Sequence, residues 1–164
     1  MPEVFCDTSP VQYLHQLGLL GLLHGLAGRV TLAASVAEEL EAGRALGLDL
    51  PDVNAFDWLV IRTPATGLQH LPVSGLGRGE TDTIRLALEA PAGAAVVILD
   101  DARARDEAER LGLKLKGTLG LLLDAKRAGL LERVAPHVER LDALGFRLAR
   151  HTREAVLRLA GEAA

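Results

Sequence analysis

The sequence is poor in cysteine and aromatic residues, and it has no uninterrupted apolar run. One cysteine, Cys6, excludes a disulfide within the chain and is typical of a reducing compartment. Aromatic residues are only 3% of the 164 residues, so aliphatic side chains must fill the core. The most apolar region, residues 17–37, contains His24, Arg29 and several glycines, which argues against a membrane span. Glu3 and the lack of early basic residues argue against a signal peptide, so we expect a cytoplasmic protein.

Several common site motifs are also missing. The five histidines have no close paired spacing, which with a single cysteine argues against a zinc site. No glycine-rich phosphate-binding pattern follows a strand, because the glycines of residues 75–79 follow a loop. Ser9 lies outside any Gly-x-Ser-x-Gly turn and has no fixed histidine partner, so the pattern does not support a serine hydrolase.

Length and composition indicate one globular domain over residues 1–164, with 49% hydrophobic and 24% charged residues. The net charge of −4 argues against nucleic-acid binding, but the charge is uneven. Residues 1–82 hold 4 basic and 10 acidic residues, a balance of −6, and residues 83–164 hold 14 and 12, a balance of +2. The basic residues of the second half either face solvent or form a stripe that contacts phosphates. They include Arg103, Arg105, Arg110, Lys114, Lys116, Lys126, Arg127 and Arg133.

Predicted strands alternate with predicted helices along the chain. The run 94–99 is apolar throughout, which indicates a strand buried on both faces, as in a parallel sheet. Ser9 is predicted to cap the first helix with Pro10 at its first position, and Thr118 to cap a later one. The pattern therefore predicts a parallel α/β fold. The strands are predicted over 3–6, 29–32, 58–61, 94–99 and 113–116, and the helices from 9, over 35–43, 80–90, 102–111, 118–128, 136–144 and 152–160, with a long loop over 63–79.

Acidic residues follow two of the predicted strands. Asp7 follows the first strand, and Asp100 and Asp101 follow the fourth. Glu80 begins the helix before the fourth strand, and Glu39 lies in the helix after the second. Sites in an open parallel sheet form outside the carboxyl ends of the strands, so these acids converge if the first and fourth strands are neighbours. Converging carboxylates indicate a hard divalent cation, which can activate water and neutralise charge on a phosphodiester.

Each acid also has a simpler interpretation. Asp101 could cap its helix, and Asp7 could form a turn with the residues that follow it. Glu80 could favour a helix N-terminus electrostatically, and Glu39 could belong to a solvated acidic run at 38–41. The convergence of all four on one corner of one fold favours a joint site over four separate explanations.

Five segments follow one another along the chain: VFCDTSP at 4–10, VAEEL at 36–40, GRGE at 77–80, LDDARAR at 99–105 and KGTLGLLLDAK at 116–126. In this order they resemble the PIN-like nucleases, and more narrowly a PIN-like subgroup catalogued as a domain of unknown function. They cover nearly the whole chain, from about residue 4 to about residue 160. The resemblance implies a three-layer fold with a five-stranded parallel sheet in the order 3-2-1-4-5. It also implies an Mg²⁺- or Mn²⁺-dependent ribonuclease, often dimeric and often the toxin of a toxin–antitoxin pair.

The resemblance also implies which residues act. The first acid of the family falls on Asp7 and the second on Glu39 rather than on Glu38. The third falls on Glu80, where the family usually has aspartate, and the fourth on Asp101 or on Asp100. The implied catalytic residues are Asp7, Glu39, Glu80 and Asp101, the implied metal ligands are Asp7, Glu80, Asp100 and Asp101, and Ser9 and Thr118 would support the site.

The leading hypothesis is therefore a metal-dependent endoribonuclease of PIN type that acts as the toxin of a toxin–antitoxin pair. Its expected partners are an RNA substrate, a small antitoxin protein and a second copy of the chain, with no membrane. A rival hypothesis is a catalytically inactive PIN-like module that binds RNA or a protein partner. A phospho-accepting receiver is disfavoured, because receivers carry their aspartate pair after the first strand and this chain carries it after the fourth.

Overall fold

The computed structural model describes residues 2–65 and 75–163, and its centre is one parallel five-stranded sheet. The strand order is β3-β2-β1-β4-β5, as predicted, so the α/β fold class and the sheet order are confirmed. The strands are β1 (Glu3–Cys6), β2 (Val30–Ala33), β3 (Leu59–Arg62), β4 (Ala95–Ile98) and β5 (Lys114–Lys116).

Eight α-helices within the described residues flank the sheet, and a short 3₁₀-helix at Val53–Ala55 precedes β3. None of the helices in these two ranges is long and apolar enough to cross a membrane. The predicted loop at 63–79 is described only at its ends, because 66–74 lie outside the described residues. The helices are α1 (Thr8–Gln16), α2 (Gly21–Ala27), α3 (Ala34–Ala45), α4 (Arg78–Glu89), α5 (Ala102–Arg110), α6 (Thr118–Arg127), α7 (Ala135–Ala143) and α8 (Arg150–Leu159).

The central strand β1 lies between β2 and β4, and its side chains form the middle of the core. Phe5 pairs in register with Thr31 of β2, and Cys6 pairs with Ile98 of β4. Phe5 is the one aromatic side chain among the fully buried hydrophobic residues of the described chain, and Leu, Val, Ile and Ala supply the rest. The low aromatic content therefore gives the aliphatic core that the composition predicts.

Two predicted helix caps are wrong. The helix α1 begins at Thr8 with Asp7 at the N-cap position, so Ser9 is not the cap and Pro10 is the third helical residue. Pro10 is tolerated there because the first N–H groups of a helix have no partner within the helix. Thr118 is likewise the first residue of α6, after Gly117 at the N-cap. Its hydroxyl is therefore free to make a hydrogen bond outside the helix.

Glu162 ties the last helices to the rest of the fold. Its carboxylate accepts hydrogen bonds from the backbone N–H groups of Val134 (2.8 Å) and Ala135 (2.9 Å), and from Lys126 Nζ (2.8 Å). Although burial raises the pKa of Glu162, these hydrogen bonds lower it to about 2. One acid thus joins the end of α6, the start of α7 and the segment after α8. This fixes the α7–α8 region, whose connecting loop reaches the site described next.

Candidate active site

The sheet brings Asp7 and Asp100 to the same edge. Asp7 directly follows β1, and its backbone N–H donates to the carbonyl of Ile98 at the end of β4 (3.1 Å). Asp100 and Asp101 come two and three residues after that carbonyl. Because β1 and β4 are adjacent and parallel, their carboxyl ends meet at one edge, as sites in open parallel sheets do.

Asp7 is the most buried acid of the site, with 4% of its surface exposed. Its Oδ1 atom is buried and has no hydrogen-bond partner in the described structure. Burial raises the pKa of Asp7 to about 7, and the charges of Glu80, Glu39 and Asp100 also raise it, although a hydrogen bond from the backbone of Thr8 lowers it. A buried carboxylate of this kind holds a proton near neutral pH unless a cation offsets its charge.

The helix α3 brings Glu39 towards Asp7. The Thr8 hydroxyl donates to Glu39 Oε2 (2.9 Å), and this hydrogen bond connects the first residue of α1 to the second predicted acid. Gly79 of α4 lies against both acids: a Cβ added there would be 3.2 Å from Glu39 Oε2 and 3.5 Å from Asp7 Oδ1. Glu38, the neighbouring acid, instead accepts from Arg78 (3.0 Å) on the surface. Glu39 therefore lies near Asp7, while Glu38 lines the same recess but pairs with Arg78 at the surface.

Glu80 has both a structural contact and a place at the site. Its carboxylate accepts from the backbone N–H of Gly77 (3.1 Å) and so caps the start of α4. Partial burial raises the pKa of Glu80, the Gly77 hydrogen bond lowers it, and the charges of Asp101 and Glu39 raise it again. The simpler interpretation of Glu80 as a helix-start residue therefore holds alongside its position next to Asp7.

The adjacent aspartates have different environments. Asp100 accepts hydrogen bonds from the backbone N–H (2.8 Å) and the hydroxyl (2.6 Å) of Thr118. Burial raises the pKa of Asp100, while Thr118 and the Arg105 charge lower it. Asp101 is exposed and accepts from the backbone N–H of Ala104 (3.0 Å), as the N-cap of α5. Thr118 thus contacts Asp100, and Asp101 acts as the helix cap that the simpler interpretation gave it.

The cap role of Asp101 leads to a direct stability prediction. Asparagine caps a helix about as well as aspartate, so Asp101→Asn should leave the free energy of unfolding within about 0.5 kcal/mol of wild type. Asp101→Ala removes the acceptor and should cost about 1 kcal/mol. Chemical denaturation in EDTA measures both values. Equal losses for the two variants would show that the cap contributes nothing.

Three recesses with lining residues in common lie at the site. An acidic recess of about 540 Å³ and a central recess of about 330 Å³ share Asp7, Ser9 and Glu80. The central recess also shares lining residues with a basic recess of about 500 Å³. Asp100 and the loop residues Phe146 and Arg147 line both of these, while Asp101 lines only the central one, and the basic recess is also lined by Arg105, Lys116 and Gly117.

Sequence reasoning missed several of these site residues. Thr8 and Gly79 lie inside segments that carried the family resemblance, so their proximity to the acids was a detectable signal. Phe146 and Arg147 lie more than forty residues beyond the aspartate pair and belong to no motif. Only the three-dimensional arrangement of the α7–α8 loop places them at the site.

Fold and site together define the class: a parallel α/β domain with carboxylates at the carboxyl edge of its central strands, an arrangement suited to phosphodiester chemistry. The family model described as PIN domain matches residues 3–162, and the chain therefore belongs to the PIN domain family, in a branch catalogued as a domain of unknown function. This confirms the resemblance seen in the sequence. PIN domains are generally nucleases and typically use divalent metals. A comparison with curated proteins gives no significant match.

Proposed function

We propose that this chain is a metal-dependent endoribonuclease of PIN type. The observation that carries the proposal is the carboxylate of Asp7, which is buried at the meeting point of β1 and β4 with Oδ1 unpartnered in the described structure. Such a group requires a proton or a cation, and three further acids raise its pKa. The family match supports the same activity.

The donor set fits a hard divalent cation, Mg²⁺ or Mn²⁺, because it consists of carboxylate oxygens. Among the described residues, no three His, Cys, Asp or Glu side chains are placed to enclose an ion by themselves. Mg²⁺ is commonly held by one or two carboxylates, with water and substrate phosphate in the other positions, so the four proposed ligands would be shared between one or two ions. The proposed ligands are Asp7, Glu80, Asp100 and Asp101. When bound, the ion would neutralise charge on the phosphodiester and lower the pKa of water.

The chain's own residues have distinct roles in this proposal. Asp7 supplies the least solvated negative charge, and Thr118 holds Asp100 in a fixed orientation beside it. Glu39 is exposed, and Thr8 is its one hydrogen-bond partner in the described structure, so it can accept a proton from an attacking water. Ser9 lines both the acidic and the central recess, where its hydroxyl can hydrogen-bond a phosphate oxygen.

A second candidate is a PIN-like module that binds RNA or a protein without cutting. What favours it is that two of the proposed ligands have structural contacts of their own, since Glu80 caps α4 and Asp101 caps α5. We also propose a single domain over 1–164, on length and composition, and a cytoplasmic location, on the lack of a signal peptide pattern. The toxin role, the small antitoxin partner and the homodimer are proposed from the family resemblance alone.

A cleavage assay separates the two candidates. Labelled single-stranded RNA is incubated with the purified protein and Mn²⁺, Mg²⁺ or EDTA, and binding is measured in parallel. We expect cleavage only with a cation. Glu39→Gln should lower the cleavage rate at least a hundredfold, the usual contribution of a general base. The matched control is Glu41→Gln, because Glu41 lies on the same helix and pairs with Arg44 instead.

The opposite pattern would contradict the proposal. RNA binding without cleavage in any cation would favour the non-cutting module. Equal losses in Glu39→Gln and Glu41→Gln would show that the charge of α3, rather than a base at the site, matters. Cleavage that persists in EDTA would point to a contaminating nuclease.

A further inference from the structure

The three recesses together form a cleft that has acidic residues at one end and basic residues at the other. The acidic recess is lined by Asp7, Glu38, Glu39 and Glu80 against the single arginine Arg78. The basic recess is lined by one acid and three basic residues. A polyanion that reaches the carboxylates is therefore repelled from one end of the cleft and attracted to the other. The lining charges of the basic recess are Asp100, Arg105, Lys116 and Arg147.

Most of the basic residues that suggested a phosphate-binding stripe are paired within the fold. Ion pairs join Arg110 to Glu107, Lys116 and Arg127 to Asp124, and Lys126 and Arg133 to Glu162. These residues are therefore weak candidates for holding a ligand. Lys116 lines the basic recess, but Asp124 offsets its charge.

Two arginines remain beside the carboxylates. Arg105 Nη1 donates to the carbonyl of Leu99 (2.8 Å), which fixes its guanidinium next to Asp100. Gly117 leaves room for both groups, since a Cβ there would lie 3.0 Å from Arg105 Nη1 and 3.2 Å from Asp100 Oδ1. Arg147 is exposed and has no ion pair within the described structure. Among the described residues that line the basic recess, it is the one cation without an ion pair or a hydrogen bond to the backbone, so it can engage an anionic ligand directly.

Two of the chain's five aromatic residues meet at the same place. The rings of Tyr13 and Phe146 lie edge to face, with centroids 5.1 Å apart and planes at 84°. The turn after α7 sets this position, because Gly145 adopts a φ of +91° and the Phe146 N–H donates to the carbonyl of Leu141. Phe146 is only half-buried and lines both the central and the basic recess.

We propose that the α7–α8 loop is the substrate-binding ledge of the site, with Arg147 as a residue that positions a backbone phosphate and Phe146 as a platform for one base. The ligand class is single-stranded RNA, because grooves for single strands combine cationic side chains that contact the backbone with aromatic side chains that stack on bases. The strand would run from the carboxylates along the basic recess and away from the acidic one. This inference rests on the proposed function and names how that site holds its substrate.

The test measures RNA binding in EDTA, where cleavage is absent. A fluorescent single-stranded RNA of about 12 nucleotides, within the usual site size, is titrated at several salt concentrations. Arg147→Gln should weaken binding about tenfold at low salt and reduce the slope of log affinity against log salt by about 0.7, the value for one lost contact to a single strand. Arg147→Lys should keep the slope. Phe146→Leu should weaken binding with the slope unchanged, because stacking releases no counterions.

The matched control is Arg29→Gln. Arg29 is exposed and directly precedes β2, so it lies at the amino-terminal ends of the parallel strands, opposite the site. Melting temperatures of all variants confirm that they fold. The inference would be overturned if Arg147→Gln kept the wild-type slope and affinity, or if Arg147→Gln and Arg29→Gln had equal effects. It would also be overturned if the wild type did not bind the RNA.

The outcomes also separate this inference from the nuclease proposal. Binding that depends on Arg147 in a protein that never cleaves RNA would support the ledge and contradict the nuclease. Metal-dependent cleavage with rates and affinities unchanged in Arg147→Gln would keep the nuclease and overturn the ledge.

Discussion

Asp7→Asn is expected to abolish RNA cleavage and, in EDTA at pH 8, to make the protein more stable than wild type. The two effects have one cause, which is the burial of a carboxylate with an unpartnered oxygen. The proposed activity needs the negative charge, and its loss should lower the cleavage rate at least about a hundredfold. Without a cation, the buried charge destabilises the folded protein. Asparagine has the same shape as aspartate but no charge, so it removes this destabilisation.

The stability effect should depend on pH. The pKa of Asp7 is raised from 3.8 to about 7 in the folded protein, so the native state binds a proton more tightly than the unfolded chain. Protonation of Asp7 stabilises the folded state; this stabilisation is fully present below pH 4 and is lost as the pH rises through about 7. At 1.36 kcal/mol per pKa unit, the shift corresponds to an upper limit of about 4 kcal/mol. The raised pKa values of Glu80 and Asp100 act in the same direction.

Denaturation curves in EDTA at pH 4 and pH 8 test this expectation. Asp7→Asn should gain a few kcal/mol over wild type at pH 8 and little at pH 4. The control is Asp57→Asn. Asp57 is exposed and lies before β3, at the amino-terminal ends of the strands, so its substitution should change neither value by more than about 0.5 kcal/mol. A variant that is less stable than wild type at pH 8 would mean that Asp7 is a structural acceptor.

The sequence predicted the parts of this molecule that depend on local patterns. The apolar run around β4 indicates a buried strand, and the acids that follow β1 and β4 can be read from the sequence; the register of β1 against β4 then places those acids at the same ends of the strands. The strand order came from the family resemblance, and the structure has the same order. Boundaries differ by one or two residues for most elements, because helix ends are set by backbone geometry.

The remaining features depend on contacts that no local pattern contains. Asp100 and Asp101 are chemically identical neighbours, and only the backbone course after β4 turns one towards Thr118 and the other onto the N-terminus of α5. Of the two alternatives for the basic residues of the second half, the phosphate-contacting stripe is weakened because most of these residues form ion pairs, in part with Glu162, which lies about thirty positions later in the chain. Such long-range pairing is invisible in a one-dimensional charge count.

Mn²⁺ is expected to raise the melting temperature, and more strongly at pH 8 than at pH 6. A cation that binds only the folded state adds RT ln(1 + [L]/Kd), about 2.7 kcal/mol at a hundredfold excess over Kd. For a chain of this length that corresponds to about 5–10 °C. With a pKa of about 7, Asp7 is mostly protonated at pH 6, and the cation must displace the proton before the carboxylate can act as a ligand. At pH 8 no proton competes, so the shift should be larger.

Variants of the aspartates show whether this shift comes from the proposed site. Asp7→Asn should lose most of it, and Asp100→Asn should lose more of it than Asp101→Asn, because Asp100 is half-buried near Asp7 while Asp101 is exposed and caps α5. Asp57→Asn should respond like wild type. A shift that survives in Asp7→Asn, or that is equal at the two pH values, would place the cation elsewhere on this acidic protein. No shift at any concentration would mean that a proton, and not a cation, offsets the charge of Asp7, and it would favour the module that binds without cutting.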